Sequence, residues 1–158
     1  MSTPADATIM AELERGDPNS ANWPHKHYEA LYRATVPERV GYVILVAEDA
    51  SAADSPASSA LPRPIVGYVA AHRVDSEWEL QYLVVAKELQ GRGIATYLVN
   101  KFVDLVRANG GSCIRLEVRE SNKSARALYR KMGFEEAGLR KGYYANPPDD
   151  AILCRLSL

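Results

Sequence analysis

The chain has 158 residues, a formal net charge of −1, 47% hydrophobic residues and 25% charged residues. This length and composition are typical of one compact domain and exclude a disordered, collagen-like or disulfide-stapled chain. No run approaches the roughly 18 apolar residues of a membrane helix, and residues 1–6 lack the basic flank and apolar run of a leader peptide. We therefore expect a single domain over residues 1–158 that is cytoplasmic and contacts no membrane.

The charges are unevenly distributed along the chain. Residues 87–141 contain twelve Lys and Arg against six Asp and Glu, so this stretch carries +6 and the remainder carries −7. Its basic residues lack interleaved exposed aromatic residues and the total charge is near zero, which argues against a nucleic-acid partner. A small polyanionic ligand fits better, although solvated helix faces explain the charge equally well. Cys113 and Cys154 have no metal-ligand spacing with each other or with the histidines, so we expect two buried thiols and no metal site.

Hydrophobic periodicity and turn residues predict helices and strands in alternation. A helix over 7–15 is stopped by Gly16, and Pro24 opens a second helix with His25 and His27 on its solvated face. Residues 49–64, rich in Ala, Ser and Pro, are predicted to form a hairpin loop without a chemical role. The predicted strands are 40–47, 65–74, 77–85, 114–119, 134–139 and 151–156, and the remaining helices are 93–108 and 122–132.

The order of these elements predicts the sheet. The first three strands are joined by short connections and are expected to form an antiparallel meander. A strand, helix, strand crossover follows, which implies one parallel pair. The expected fold class is α/β (α+β), with a mixed, mostly antiparallel central sheet of about six strands and helices on both faces.

The segment Gln90-Gly91-Arg92-Gly93-Ile94-Ala95-Thr96 lies between a predicted strand and a predicted helix. Helix N-termini present unpaired N–H groups and a partial positive charge, and glycines let an anion approach the backbone. The segment is no nucleotide P-loop, because no Gly-Lys-Ser/Thr follows, and no dinucleotide fingerprint, because Thr96 replaces the third glycine. The glycines alone support an anion site and a plain loop equally.

Glu117 and Tyr129 are the second candidate pair. Glu117 lies on a predicted strand and Tyr129 on the helix that follows, so a carboxylate base and a phenolic acid can meet at the strand ends. The pattern alone favours a structural interpretation, with Glu117 in an ion pair with Arg115 or Arg119 and Tyr129 as a half-buried packing residue.

The chain resembles the GNAT superfamily of N-acetyltransferases. The resemblance rests on Gln90-x-x-Gly93-x-Ala95 before the long helix, on Asn122, and on Ala127-Leu128-Tyr129 with Gly133-Phe134. It implies acetyl-CoA as co-substrate, with its pyrophosphate on the backbone amides of the glycine segment and its pantetheine arm along the third strand. The implied cofactor-binding residues are Leu83, Val84, Val85, Gly91, Arg92, Gly93, Ile94, Ala95, Thr96 and Asn122.

Within that superfamily, residues 77–158 resemble the RimI-type ribosomal-protein alanine N-acetyltransferases. The likeness rests on Leu116-Glu117-Val118-Arg119 and on Arg140-Lys141-Gly142-Tyr143-Tyr144. It implies transfer of acetyl from acetyl-CoA, by direct attack, to the N-terminal α-amine of a protein such as a ribosomal protein. Glu117 is then the base, Tyr129 the acid that protonates the CoA sulfur, and a main-chain N–H near Val84 polarises the thioester. Tyr143 and Tyr144 line an acceptor groove or simply pack.

Three departures keep alternatives open. The edge strand that usually precedes the first helix is short or absent, the 49–64 loop is long, and Tyr82 replaces a small polar residue. Glu79 stands where other branches of the superfamily carry their base and rivals Glu117. The alternatives are a GNAT enzyme for a lysine side chain or small-molecule amine, and a CoA-binding module without turnover. For the oligomeric state we expect a monomer or weak dimer.

Overall fold

The computed structural model describes residues 4–15, 41–49 and 64–158. The predicted helix from Pro24, His25, His27 and residues 50–63 of the predicted loop lie outside these ranges. None of the described helices is long and apolar enough to cross a membrane. The described elements are α1 (Pro4–Arg15), β1 (Tyr42–Glu48), β2 (Ile65–Val74), β3 (Glu77–Val85), a 3-10 turn (Lys87–Leu89), α2 (Ile94–Ala108), β4 (Cys113–Arg119), α3 (Lys123–Lys131), β5 (Glu135–Ala145) and β6 (Pro148–Ser157).

The six described strands form one sheet in the order β1-β2-β3-β4-β6-β5. Neighbouring strands are antiparallel except β3 and β4, which run parallel across the α2 crossover. The predicted meander, parallel crossover and mixed sheet are therefore confirmed. Cys113 and Cys154, which lie in β4 and β6, are free and buried, as predicted.

Helices cover both faces of the sheet. Because side chains alternate along a strand, β2 sends Val69 and Ala71 to one face and Tyr68 and Ala70 to the other. The first of these faces packs against α2 and α3 and is called the α2 face. The second packs against Met10 of α1 and is called the α1 face. The expectation of helices on both faces is thus confirmed.

A β-bulge in β3 changes which side chains reach each face. Ala70 of β2 is opposite Tyr82, whereas the next residue, Ala71, is opposite Leu80, so Gln81 is an extra residue in β3. An extra residue shifts the alternation by one position. Leu80 therefore lies on the α2 face, and Tyr82 lies on the α1 face. The sequence predicts a strand over 77–85, in which Trp78, Leu80, Tyr82 and Val84 alternate with the residues between them; that alternation is wrong beyond Gln81, because the apolar residues after the bulge fit either register.

The parallel pair separates beyond the bulge. Pairing between β3 and β4 begins at Glu77 with Cys113 and stops at Leu80 with Leu116. A cleft therefore opens between the carboxyl ends of two parallel strands, which is where ligands bind in α/β sheets.

The β5–β6 hairpin is longer than the sequence predicts. β5 ends at Ala145 and β6 begins at Pro148. Tyr143 and Tyr144 therefore lie in β5 and Asp149 lies in β6, rather than in a loop between two shorter strands. Gly, Pro and Asp are depleted in strands, which explains why the sequence pattern stops early. The strand pairing is irregular between Arg140 and Tyr144.

Candidate active site

A cavity of about 400 Å³ lies where β3, the glycine segment, α2 and α3 meet. We call it the cradle. Of the predicted cofactor-binding residues, Val84 is buried among the α1-face residues and Arg92 is exposed, and neither lines the cradle. The other eight do line it: Leu83, Val85, Gly91, Gly93, Ile94, Ala95, Thr96 and Asn122.

The glycine segment has the geometry of an anion site. Gly91 and Gly93 have φ values of +75° and +83°, in the left-handed region that favours glycine, and Gly93 is the N-cap of α2. A Cβ at either position meets no other atom within 4 Å, so the backbone there is open to a ligand. The first turn of α2 contains no acidic residue that competes for its free N–H groups. The side-chain amide of Gln90 donates to the Val85 carbonyl at 3.2 Å and fastens the segment to the end of β3.

A second helix N-terminus faces the same cavity. Asn122 caps α3, with its side-chain oxygen accepting from the Ala125 amide at 3.1 Å. The cap uses one lone pair of the oxygen, so the side-chain NH₂ stays available to donate to a ligand. Lys131, further along α3, adds a cation to the lining. Two helix N-termini and a lysine suit a diphosphate, and the chemistry of the cradle therefore fits the pyrophosphate of CoA.

A larger cavity, of about 640 Å³, involves β3, β4, β5 and β6. We call it the carboxylate groove because Glu77, Glu79 and Glu117 all line it. These side chains alternate with Trp78, Leu80 and Leu116, which belong to the α2-face core. The groove therefore opens on the α1 face, opposite the cradle, and both proposed bases lie in it.

Glu117 is held by two groups from β5. Its Oε1 lies 2.8 Å from Nη1 of Arg140, and Tyr143 lines the same groove. Interaction with the Glu117 carboxylate raises the pKa of Tyr143, so the phenol keeps its proton at neutral pH. The Glu117 side chain is 22% exposed and remains accessible from the groove.

The ion partner of Glu117 differs from both alternatives in the sequence interpretation. Arg115 instead pairs with Glu77 at 2.8 Å, and Arg119 donates to the backbone carbonyls of the β5–β6 turn. Arg140 was missed as a partner because it is far away along the chain. Only the strand order β4-β6-β5 brings it beside Glu117.

Tyr129 lies on the other side of the sheet from Glu117. Its side chain is 6% exposed and packs edge-to-face against Phe134, with 5.5 Å between ring centroids, in the α2-face core. Burial raises the pKa of Tyr129, so its hydroxyl is protonated at neutral pH. Tyr129 follows Ala125, a cradle residue, by one helical turn but lines neither cavity itself. Its role as the acid stays a prediction.

Glu79, the rival base, contacts a histidine that the sequence analysis did not single out. Nε2 of His72 lies 3.5 Å from the Glu79 carboxylate, and the ring of Tyr42 stacks on the imidazole. The Glu79 side chain is 47% exposed. The groove thus holds a second accessible carboxylate. Among the described residues, no group of three or more His, Cys, Asp or Glu side chains is placed to hold a metal ion.

The turn of the β5–β6 hairpin is fastened to the end of β4. The guanidinium of Arg119, 5% exposed, donates to the carbonyls of Asn146 and Pro147 at 3.2 and 3.0 Å and lies 4.0 Å from the centre of the Tyr144 ring. The Ser121 hydroxyl donates to Asp149 at 2.6 Å. These contacts connect the rim of the carboxylate groove to the segment that leads into the cradle.

A mixed sheet with one split parallel pair, an anion cradle on one face and a carboxylate groove on the other defines an N-acetyltransferase fold. Residues 8–134 match the acetyltransferase (GNAT) family, and the chain belongs to that family. This confirms the resemblance noted in the sequence.

Several curated relatives of the matching region carry acetyltransferase names. The chain is 38% identical over 95 residues to N-alpha-acetyltransferase RimI of Mycobacterium tuberculosis, an alignment covering 58% of each protein. It is 39% identical over 83 residues to the [ribosomal protein bS18]-alanine N-acetyltransferase of Haemophilus influenzae, covering 52% of this chain and 56% of that protein. The matches therefore span little more than half the length of these relatives.

Solved structures share the fold. The ribosomal-protein-S18-alanine N-acetyltransferase from Escherichia coli superposes with a TM-score of 0.78 at 24% identity, covering 99% of this chain and 90% of that one. Ard1 from Thermoplasma volcanium superposes with a TM-score of 0.80 at 18% identity, covering 99% and 94%. At these identities the likeness establishes the fold alone.

Proposed function

We propose that the chain is a single acetyltransferase domain that transfers the acetyl group of acetyl-CoA to the N-terminal α-amine of a protein. The observation that carries the proposal is the position of Glu117, whose carboxylate lies in a groove on one face of a split sheet with an anion cradle on the other. The names of the relatives favour a ribosomal protein as acceptor.

The cradle residues have distinct proposed roles in holding acetyl-CoA. The free amides of residues 91–96 bind the pyrophosphate, and the side-chain NH₂ of Asn122 contacts the cofactor. The edge of β3 over 83–85 lies beyond the last β3–β4 pair, so its main chain is free of β4 and is proposed to hydrogen-bond the pantetheine arm. Val84 takes part through its main chain, which the burial of its side chain does not prevent. Arg92, exposed on the segment, binds phosphate from the solvent side.

The chemistry requires a neutral amine and a protonated leaving thiolate. Acetyl-CoA supplies the activated thioester. An α-amine with a pKa near 7.7 to 8.0 is neutral in about a tenth of molecules at pH 7, so a base acting directly or through water suffices. Glu117 accepts the proton, a main-chain N–H near Val84 polarises the thioester carbonyl, and Tyr129 donates its proton to the CoA sulfur.

Replacement of Glu117 by Gln tests the proposal. We expect kcat for an N-terminal peptide to fall by about a hundredfold or more, because the amide cannot accept the proton. The Kd of acetyl-CoA, measured by calorimetry, should stay unchanged because Glu117 does not line the cradle. Mass spectrometry of the peptide locates the acetyl group on the α-amine. The matched control is Glu135→Gln, an exposed carboxylate of β5 that lines neither cavity.

A second candidate is acetylation of a lysine side chain or small amine with Glu79 as the base. It is favoured by the accessible carboxylate of Glu79 in the same groove. Full activity in Glu117→Gln together with loss of activity in Glu79→Gln would establish it. A CoA-binding module without turnover would release no free thiol from acetyl-CoA with any acceptor in a panel of peptides and amines.

A further inference from the structure

The pairing of β5 with β6 is irregular at a point that matters for the groove. Its register breaks between Arg140 and Tyr144, and Gly142 within the break has a φ of +61°. In a regular strand, residues an odd number apart face opposite sides. The bulge removes that restriction, so Arg140 and Tyr143 both line the carboxylate groove. Tyr144 instead lies over the Arg119 guanidinium.

Both groove-facing residues lie on the side of the groove that holds Glu117. Arg140 contacts Oε1 of Glu117 at 2.8 Å. The Arg140 guanidinium also lies 5.4 Å from the centre of the Tyr143 ring, and Tyr143 lines the same groove as Glu117. Glu117 is therefore paired with a cation from a different strand, and that cation lies beside a phenol.

We propose that Arg140 and Tyr143 are positioning residues that orient the Glu117 carboxylate toward the acceptor amine. The inference rests on the proposed function and adds two residues to it. A carboxylate has about four lone-pair sites. The Arg140 guanidinium takes one of them, which leaves others for the Tyr143 phenol and for the acceptor's proton.

The choice of residue types suits this role. Arginine stays protonated in proteins, so Arg140 holds the carboxylate without accepting the proton that Glu117 must receive. The phenol of Tyr143 likewise only donates at neutral pH. Glu117 is thus the one group of the three that accepts a proton from the acceptor.

Arg140→Met removes the guanidinium and keeps much of the side-chain length. We expect kcat to fall by about tenfold to a hundredfold, the size of effect that misplacing a catalytic group produces. The Kd of acetyl-CoA and the melting temperature should match wild type. Arg140→Lys restores the cation and should recover part of kcat, and Tyr143→Phe should lower kcat because it keeps the ring but loses the donor. Arg130→Met is the control, since Arg130 forms a similar exposed ion pair, with Glu136, outside both cavities.

A double-mutant cycle separates positioning from a general structural effect. If Arg140 acts through Glu117, adding Arg140→Met to Glu117→Gln should change kcat by less than about twofold, because the carboxylate to be positioned is gone. Equal loss of kcat in both backgrounds would overturn the inference. So would an unchanged kcat in Arg140→Met with Glu117→Gln still impaired. Full activity of Glu117→Gln would instead reject Glu117 as the base, and this result differs from the two that reject the positioning role of Arg140.

Discussion

Gly93 provides the most direct test of the cradle. It is the N-cap of α2 with a φ of +83°, and a Cβ built there meets no other protein atom within 4 Å. Gly93→Ala therefore brings backbone strain but no clash within the protein. The left-handed conformation costs an L-residue about 1–2 kcal/mol. For a chain of this size each kcal/mol lowers the melting temperature by about 2–4 °C, so we expect a modest loss of thermal stability without ligand.

The effect on acetyl-CoA binding is separate from this strain, which is present with and without ligand. The added methyl group lies where the pyrophosphate is proposed to approach the backbone amides. We expect Kd to rise at least tenfold, which corresponds to about 1.4 kcal/mol. Isothermal titration calorimetry measures the Kd, and thermal unfolding of the ligand-free protein measures the strain separately.

Gly110 supplies a matched control at the other end of α2. Its φ is +69°, and a Cβ there also meets nothing within 4 Å. Gly110→Ala should lower the melting temperature by a similar amount and leave the Kd of acetyl-CoA unchanged, because Gly110 is remote from the cradle. Equal Kd values for Gly93→Ala and wild type would refute the assignment of the glycine segment as a phosphate site.

Two further predictions concern stability. The Ser121 hydroxyl holds the pKa of Asp149 below its ordinary value. The ionised Asp149 carboxylate therefore contributes its full stabilisation of the fold above the unfolded pKa near 3.9, and this contribution is lost as pH falls through the lowered pKa of the folded state. Denaturant titrations should show Ser121→Ala less stable than wild type at about pH 6, with the difference shrinking toward about pH 3; a pH-independent difference would contradict this. For Gly111→Ala, the new Cβ would collide with Val106 Cγ1 and lie 2.9 Å from Trp78 Cδ1, and we expect overpacking to lower the free energy of unfolding by about 1–3 kcal/mol, whereas an unchanged denaturation midpoint would show that Val106 and Trp78 move aside freely.

Much of the sheet was predictable because local patterns determine strands bounded by turn residues. The bounds of β2 and β3 agree with the predictions at both ends, and α2 begins one residue later than predicted. The turn at Asp75 has a φ of +57°, a conformation that Asp tolerates better than most residues. Local propensity and tertiary structure agree in these elements.

The bulges at Gln81 and Gly142 were not predictable from periodicity. In β3, residues 82–85 are all apolar and fit either register, so the extra residue leaves no trace in the pattern. In β5, Gly142 marks a break, but the tyrosines, prolines and aspartates that follow it predict a loop rather than a continued strand. Whether a glycine ends a strand or lets it bulge depends on the neighbouring strand, here β6.

The candidate site likewise combines a feature that the sequence could predict with one that it could not. The glycine segment could be singled out because glycines before a helix are typical of an open backbone, whereas its proposed role as an anion site came from the resemblance to the GNAT superfamily and not from the glycines alone. The partner of Glu117 was not, because Arg140 reaches it across the sheet through strand order rather than through sequence proximity.

The surroundings of Glu117 also bear on the choice between an α-amine and a lysine. Deprotonating a lysine ammonium, with a pKa near 10.4, costs about 3.5 kcal/mol more than deprotonating an α-ammonium near 7.8. A carboxylate that is already paired with a guanidinium is better matched to the easier proton. Glu79 contacts His72 at 3.5 Å and is less constrained, so it is better matched to the removal of the lysine proton. The site of acetylation on a peptide with one free α-amine and one internal lysine therefore reports which carboxylate acts as the base.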